Sequence, residues 1–269
     1  MILRILYVEG EKMAERSNEV KSIVKALGIL ELLDKESELG IGEISERLDL
    51  DKSTVHRLVS TLKNAGYIIQ NASNKKYSNS FKLFEMGNSV VEKLGLRRIA
   101  QPYLEQISRI TNETTNIAII YDAHVIYIDR IESPATIKVD LRIGKRLPIY
   151  CTGLGKVMLA YMPQQKVEEI LENVKFVKYT KSTVENIEKL YVQIKKIREQ
   201  GYCIDDEEYF EGLKCVAAPI INYKGDVIAA ISIAVPKYRF DEVEKNIDFG
   251  SILKVTAYNL SKEFGYIDK

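Results

Sequence analysis

The segment from Gly40 to Gly66 has apolar residues at helical spacing and predicts two short helices joined by a tight turn. In the second helix these residues stand at i, i+3, i+4 and i+7 and form one buried stripe, namely Val55, Leu58, Val59 and Leu62. The first helix offers Ile44 and Leu48 to that stripe. The pattern therefore predicts a helix-turn-helix.

A second amphipathic pattern, from 20 to 33, predicts a helix that packs against this pair. Its apolar residues lie near helical spacing and are Ile23, Val24, Leu27, Leu30 and Leu33. We expect this helix to supply the third wall of the helix-turn-helix core.

The polar face of the second helix carries hydroxyl, imidazole and cationic side chains and few carboxylates. Such groups can reach base edges and phosphates in the major groove of DNA. The candidate DNA-contacting residues are Lys52, Ser53, Thr54, His56, Arg57 and Ser60. The alternative interpretation is a solvated helix face with ordinary lysines.

Beyond Gly66, two short runs at 67–70 and 77–79 are expected to pair as strands across a polar loop. The loop carries Lys75 and Lys76 at its tip. A hairpin with a basic tip next to a helix-turn-helix forms a wing, whose lysines would contact the DNA backbone. Together these elements predict a winged helix-turn-helix over residues 20–80.

The charge of the chain supports nucleic-acid binding only locally. The 39 Lys and Arg against 38 Asp and Glu give a net charge of +1. Between 51 and 82, however, six cationic residues face a single carboxylate, Asp51, whereas 21–50 has an excess of acidic residues. Positive charge is thus concentrated where phosphates would be met.

A chain of 269 residues is long enough for two domains. Residues 81–95 read as a linker helix, whose Phe81 and Phe84 would pack against the first domain or against a partner chain. From Thr115 the pattern changes to β-rich runs, with one hairpin around Asp122 and another between 223 and 226. Five predicted helices at 96–111, 153–162, 164–173, 184–200 and 241–263, and further strands within 136–149, complete residues 96–269.

These elements predict an α+β architecture in which one mixed or antiparallel sheet is covered by helices, as in sensor domains. The N-terminal arm, 1–19, fits poorly with the rest and does not resemble a signal peptide. We expect natural translation to begin at Met13.

Cysteine usage and hydropathy indicate a cytoplasmic protein. Cys151, Cys203 and Cys215 are an odd number, widely spaced and without a CxxC pair, which argues against a disulfide framework and a zinc cluster. With two distant histidines, His56 and His124, we expect no metal and no cofactor. No apolar run has the length of a membrane span.

Three segments resemble the isocitrate lyase regulator (IclR) family of bacterial transcription factors: LDLDKSTVHRLVSTLKNAGYI, LPIYCTGLGKVMLA and GYCIDDEEYFEGLKCVAAPI. In the last, Gly201, Asp205, Glu208 and Cys215 stand at the spacing of the family signature. The resemblance covers about 20–265. It implies an N-terminal winged helix-turn-helix, a linker helix and a C-terminal GAF-like effector domain. It also implies a homodimer or tetramer that binds a double-stranded DNA operator, represses or activates, and senses a small carboxylic acid.

The segment Thr152-Gly153-Leu154-Gly155 directly precedes a predicted helix, and helix starts bind anions. By resemblance, the amides of Gly153 and Leu154 would hold the effector carboxylate. The resemblance also assigns pocket-lining roles to Asp205, Cys215 and Ser232, with Val139 and Leu147 as apolar walls. Ala234 stands where some members carry a second serine, which removes one hydrogen bond.

Each of these residues has a structural alternative. Asp205 and Glu208 would be solvated carboxylates at a strand edge, Cys215 a small apolar residue, and the glycines of the 152–155 segment turn residues. A competing functional class is an enzyme with Cys215 as nucleophile. Such an enzyme needs a base near the thiol, and no histidine is close to it in sequence. We therefore expect a ligand-responsive regulator and not an enzyme.

Overall fold

The computed structural model of the chain describes residues 19–93, 95–136 and 141–267. The chain divides into two compact units, with the boundary after Lys93. Residues 1–18 of the N-terminal arm, with the expected start at Met13, lie outside the described residues. No helix in the described ranges is long and apolar enough to cross a membrane.

The first unit contains the predicted helix-turn-helix and wing, which are confirmed. Its elements are α1 (Lys21–Glu36), α2 (Ile41–Leu48), α3 (Lys52–Asn64), β1 (Ile68–Gln70), β2 (Tyr77–Asn79) and α4 (Phe81–Lys93). Asp49 takes a left-handed conformation, with φ of 52°, in the turn between α2 and α3. Ile29, Ile44 and Val55 are fully buried at the centre of the core that these helices share.

The prediction for α1 was wrong in one respect. Its buried residues, Ile29, Leu32 and Leu33, all lie in the C-terminal half. Ile23 and Leu27 remain exposed, because the partner helices α2 and α3 reach only the later turns of α1. The N-terminal half of α1 therefore presents an apolar stripe to the surface.

The wing is fastened to the helical core at its base and at its tip. Tyr77 pairs with Leu39, which adds a single bridge to the β1–β2 hairpin. Near the tip, the carboxylate of Glu38 accepts hydrogen bonds from the side chains of Asn71 and Asn74, at 2.9 and 2.8 Å. These contacts position the loop that carries Lys75.

The second unit contains α5 (Leu96–Thr111), β3 (Thr114–Tyr121), β4 (His124–Ile131), β5 (Arg146–Pro148), α6 (Gly153–Ala160), α7 (Gln164–Leu171), α8 (Ile187–Gln200), β6 (Cys203–Asp206), β7 (Leu213–Ile221), β8 (Val227–Pro236), α9 (Lys237–Glu244) and α10 (Phe249–Glu263). The six strands form one sheet in the order β5-β4-β3-β8-β7-β6. Every recorded pairing is antiparallel, so the antiparallel alternative is correct and the mixed sheet is not.

Helices cover both faces of this sheet. On one face, α5 and α10 pack together and against β3 and β7, and Thr115 donates a hydrogen bond to the carbonyl of Leu104 in α5. The other face carries Ala118 and Ala230, which share a core with Leu154 and Val157 of α6. Small residues at these positions let α6 approach the strands closely.

Two element predictions required correction. The expected final helix, 241–263, is two helices, because Asp248 caps α10 by accepting the N–H of Ser251 at 2.9 Å. Of the strands expected within 136–149, the described residues contain β5 alone, and 137–140 lie outside them.

Candidate effector cavity and DNA-contacting surface

A small cavity lies between the start of α6 and the sheet. Its lining residues are Tyr127, Leu141, Leu147, Thr152, Gly153, Leu154, Asp205, Tyr209, Phe210, Leu213, Cys215 and Ser232. The volume is about 20 Å³, which is room for a single water molecule. Two wider clefts, of about 520 and 320 Å³, open elsewhere and contain none of the predicted effector residues.

The structure brings the predicted effector residues together at this cavity. Gly153 and Leu154 come from α6, Asp205 and Cys215 from adjacent strands, Ser232 from β8 and Leu147 from β5. Val139, the other predicted wall residue, lies outside the described residues. The location of the cavity agrees with the sequence prediction, while the binding role of each residue stays a prediction.

The antiparallel register explains why the polar residues converge. Asp205 of β6 pairs with Cys215 of β7, which pairs with Ala234 of β8. The next position on the same face pairs Ala217 with Ser232, because side chains two residues apart point to the same side of a strand. Residues that are distant in sequence therefore share one face beneath α6.

The start of α6 already holds a carboxylate. Asp205 Oδ2 accepts the N–H of Gly153 at 3.1 Å, and Oδ1 accepts the N–H of Glu208 at 3.0 Å. Thr152 caps the helix by accepting the N–H of Gly155 at 3.2 Å. One of the two amides predicted to hold the effector carboxylate is thus occupied by the protein's own side chain.

Gly155 is required by packing. A Cβ atom there would lie 2.0 Å from the carbonyl oxygen of Ile149, whereas one on Gly153 would meet Asp205 at an ordinary 3.4 Å. The first turn of α6 therefore sits directly on the 3₁₀ turn Ile149–Cys151. This close approach fixes the position of the helix start above the sheet.

A buried ion pair that sequence reasoning missed lies beside the cavity. Lys156 of α6 is 1% exposed and its Nζ donates to Glu208. Thr183 donates to the backbone carbonyl of Glu208 at 2.6 Å and Thr180 to that of Glu207 at 2.5 Å, and these bonds hold the segment in place. Burial lowers the pKa of Lys156, but neighbouring negative groups, Asp205 and Glu208 among them, outweigh it and raise the pKa.

Burial also changes the titration of Asp205. It raises the pKa of the carboxyl from 3.8 to about 6, opposed by the positive charge of Lys156 and by the two backbone N–H donors. The negative charge of Glu208 acts in the same direction as burial. Asp205 is therefore a buried carboxylate that takes up a proton near neutral pH, which excludes the solvated alternative.

Aromatic and aliphatic side chains complete the cavity wall and were not predicted. Tyr127 comes from β4, and Tyr209 and Phe210 from the loop after β6, where their rings meet edge to face with centroids 4.5 Å apart. The aromatic residues in the segment EEYFEG were a signal for the second group. The sequence gave no signal for Tyr127, because this residue resembles any other apolar residue of a strand.

The thiol of Cys215 is poorly suited to nucleophilic chemistry. Burial raises its pKa well above the ordinary range, and the negative charge of Asp205 raises it further. The neutral thiol is the form present near neutral pH. The three cysteines of the chain are all free.

The predicted DNA-contacting residues of α3 lie at the surface. Lys52, Ser53, His56, Arg57 and Ser60 are exposed, and Thr54 is half-buried. Within the described part of the chain, the Arg57 side chain has no hydrogen-bond or ion-pair partner, so its guanidinium is available to a ligand. The face opposite Val55 and Val59 is therefore free to enter a groove.

The two wing lysines differ in their surroundings. Lys75 is exposed and takes a left-handed conformation, with φ of 60°. Lys76 is half-buried and forms an ion pair with Glu43 of α2 at 2.9 Å. Lys75 is the wing cation without a protein counter-charge among the described residues.

Comparison with known proteins matches both units. A model of the IclR helix-turn-helix domain covers residues 22–72, and one of the C-terminal domain of bacterial IclR transcriptional regulators covers 88–262. The chain belongs to the IclR family. Its C-terminal domain is therefore a ligand-binding domain and its N-terminal domain a DNA-binding domain.

Relatives of this IclR-family chain agree along its length. The transcriptional regulator KdgR of Escherichia coli K12 is 38% identical over 94% of this chain and 96% of its own. The Thermotoga maritima IclR structure superposes with a TM-score of 0.79 and 29% identity, covering 92% of this chain and all of the other. An IclR homologue from Microbacterium hydrocarbonoxydans, complexed with 4-hydroxybenzoate, superposes with a TM-score of 0.76 and 23% identity. The match covers 91% of this chain and 98% of the homologue.

KdgR is named as a transcriptional regulator, and so is XynR of Escherichia coli K12, which is 37% identical over 92% of this chain and 98% of its own. The protein is therefore a transcriptional regulator and not an enzyme, and the alternative that used Cys215 as a nucleophile has no support.

Proposed function

We propose that the effector is a small carboxylic acid that binds in the cavity beneath α6 and thereby changes operator affinity. The observation that carries the proposal is the contact between Asp205 and Gly153, at 3.1 Å. It supports the first turn of α6 as a seat for a carboxylate, since helix starts provide free N–H groups and a positive dipole end.

The effector would take the place of the Asp205 side chain at this seat. Its carboxylate would accept the N–H groups of Gly153 and Leu154, while Cys215 and Ser232 contact the rest of the molecule and Leu147 packs against it. A cavity of about 20 Å³ is too small for such an acid. Binding therefore requires the cavity to enlarge, which gives the ligand a means to alter the conformation of its domain.

At the other end of the chain, α3 is the proposed recognition helix. Lys52, Ser53, Thr54, His56, Arg57 and Ser60 supply base and phosphate contacts, and Lys75 and Lys76 contact the backbone from the wing. The exposure of this face and the free guanidinium of Arg57 support the assignment.

The functional unit is a homodimer or tetramer. Exposed apolar side chains support this assembly, because a partner chain would remove them from water. They lie on α4, on α1 and directly before α1: Val20, Ile23, Leu27, Phe81, Phe84 and Val90. Phe81 is 84% exposed and Phe84 66% exposed, so neither ring is buried by the described residues. Three free cysteines support a reducing cytoplasm as the place of action.

A thermal-shift screen of the full chain against small carboxylates tests the effector assignment. A ligand that binds only the folded state raises stability by RT ln(1 + [L]/Kd). Each acid that shifts the melting temperature is then added to the chain bound to an operator obtained by in vitro selection. We expect the same acid to change operator affinity.

The matched variants are Ser232→Ala, within the cavity, and Ser251→Ala, at the start of α10. Ser232→Ala should weaken binding of the acid, whereas Ser251→Ala should leave the affinity for the acid unchanged. Acids that bind both variants and the wild-type chain equally would place the binding site elsewhere. A complete lack of response to carboxylates would refute the acid effector.

A further inference from the structure

The cavity beneath α6 has one wall that is only partly buried. Of its lining residues, Tyr209, Phe210 and Cys215 are half-buried and all the others are buried. Because the cavity has a volume of about 20 Å³, a molecule larger than water enters only if a wall opens. The loop that carries Tyr209 and Phe210, which we call the thin wall, breaks the least packing when it moves. We therefore infer that small molecules enter there.

A short turn, residues 142–146, is fastened to the strand that borders the cavity. The N–H of Lys145 donates to the carbonyl of Arg142 at 3.1 Å, and Gly144 takes a left-handed conformation with φ of 84°. The N–H of Gly144 donates to the carbonyl of Tyr127, a cavity residue of β4, at 2.7 Å. The segment reads RIGKR, with three cations and no carboxylate, and we call it the basic turn. The backbone thus holds positive charge beside the cavity.

The charge of the basic turn lies against the thin wall. The Nζ of Lys145 is 5.1 Å from the ring centroid of Phe210, so a cavity-lining ring lies directly below this ammonium. Arg142 and Arg146 are exposed and Lys145 is half-buried. Within the described part of the chain, no carboxylate forms an ion pair with any of the three.

Arg146 contributes less than its two neighbours. Burial lowers the pKa of His124, Arg146 lowers it further and Asp122 opposes them, which places a carboxylate and this guanidinium near one imidazole. Asp122 therefore offsets part of the charge of Arg146. Arg142 and Lys145 are the cations that carry the argument.

We propose that the basic turn attracts the anionic effector to the thin wall and speeds its entry into the cavity. Cations beside a cleft with low-dielectric walls raise the local concentration of anions and their association rate, and salt weakens this effect. What the turn recognises is the negative charge of a small molecule, whatever the rest of that molecule is. The inference rests on the proposed acid effector and its cavity.

Two thiol reagents of nearly equal size, iodoacetate and iodoacetamide, test the turn without a known effector. In both reactions the thiolate sulfur of Cys215 displaces iodide, but only iodoacetate carries a negative charge. Peptide mass spectrometry of the folded full chain gives the rate of Cys215 modification by each reagent. The ratio of the iodoacetate rate to the iodoacetamide rate cancels the thiolate fraction and the frequency with which the wall opens.

The variant combines Arg142→Gln with Lys145→Gln. Its matched control combines Lys195→Gln with Lys196→Gln, two exposed positions of α8 that do not line the cavity and remove the same net charge. We expect the turn variant to lower the rate ratio about 3- to 10-fold at low salt, whereas the control keeps the wild-type ratio. The difference should vanish at about 1 M salt, where the Debye length is about 3 Å.

A purely structural role of Lys145 above Phe210 would change both rates together and leave their ratio intact. An unchanged ratio in the turn variant, or an equal fall in the control, would overturn the inference. So would the failure of both reagents to modify Cys215 before the chain unfolds, because the wall then admits no small molecule. The acid effector is tested separately by the carboxylate screen, so the two failures are distinguishable.

Discussion

The carboxylate of Asp205 accepts the N–H of Gly153 across 3.1 Å, although 52 residues separate them in sequence. The contact joins the last strand of the sheet to the first turn of α6. Both residues line the cavity, and the contact places a negative charge where we propose that an anionic ligand binds. Stability and ligand affinity should therefore both respond to the charge on Asp205.

The first prediction concerns stability and pH. Because burial raises the pKa of Asp205 from 3.8 to about 6, the folded protein binds this proton more tightly than the unfolded chain. Asp205 therefore costs stability as pH rises from 4 to 6, and the cost is constant above 6. Relative to wild type, Asp205→Asn should gain about 3 kcal/mol between pH 4 and 7.

Urea unfolding at a series of pH values measures this difference. Asp206→Asn is the matched control on the neighbouring residue, which is half-buried and pairs with Lys214 and Lys237. A parallel pH profile for wild type and Asp205→Asn would show that Asp205 titrates as an ordinary surface carboxylate.

The second prediction concerns ligand affinity and pH. A bound carboxylate would add a negative charge beside Asp205 and Glu208, with Lys156 as the cation that faces them. The acid should raise the pKa of Asp205 further and bind together with one proton. We expect affinity to fall up to about tenfold for each pH unit above 6. Calorimetry in buffers of different ionisation enthalpy counts the proton, and Asp205→Asn should abolish its uptake.

The third prediction concerns the buried ion pair. Lys156→Met would leave Glu208 and Asp205 buried without a cation, and we expect a loss of about 3–5 kcal/mol. Combining it with Glu208→Gln should recover much of that loss. In contrast, Lys189→Met breaks an exposed pair with Glu185, and its cost should stay below about 1 kcal/mol. Strictly additive losses for Lys156 and Glu208 would contradict the pairing.

The fourth prediction concerns the seat of α6. Gly155→Ala would force a methyl group within 2.0 Å of the Ile149 carbonyl oxygen, so the helix must shift away from the sheet. We expect a loss of at least about 2 kcal/mol and weaker effector binding. Gly28→Ala, in α1, has open space around the added methyl and should be neutral or stabilising. Equal melting temperatures for the two variants would contradict the close packing.

The fifth prediction concerns DNA. Arg57→Ala should weaken specific operator binding by about 1–3 kcal/mol and relax sequence preference. Lys75→Ala should weaken binding to all DNA sequences alike. It should also reduce the slope of log affinity against log salt concentration by about one. Because Lys76 pairs with Glu43, Lys76→Ala should have the smaller effect of the two lysine variants. Fluorescence anisotropy at several salt concentrations measures the DNA affinity of each variant. A loss of affinity for the cognate operator alone would exclude a contact between Lys75 and the DNA backbone.

Local patterns were sufficient for the first unit. The i, i+3, i+4, i+7 spacing in α3 and the basic loop at Lys75 are short-range signals that tertiary structure did not override. The same periodicity misled for Ile23 and Leu27, because an apolar stripe does not reveal whether its partner lies within the chain. The break before α10 was missed since Asp248 resembles any acidic residue inside a helix.

The cavity depended on contacts that periodicity does not encode. Asp205 and Cys215 were found through the spacing of a family signature, and strand register explains why they meet. Lys156 was passed over because a lysine in a helix is normally solvated. The hydrogen bond from the Gly153 N–H to the Asp205 carboxylate follows from three-dimensional packing alone.

The pairing of Cys215 with Ala234 has a consequence for how such a regulator changes its effector over evolutionary time. Ala234 faces the same side of the sheet as Asp205 and needs only a hydroxyl in place of a hydrogen to become serine. That exchange leaves the strands, α6 and the winged domain untouched. A new chemical signal could thus be connected to an existing set of operators through one substitution.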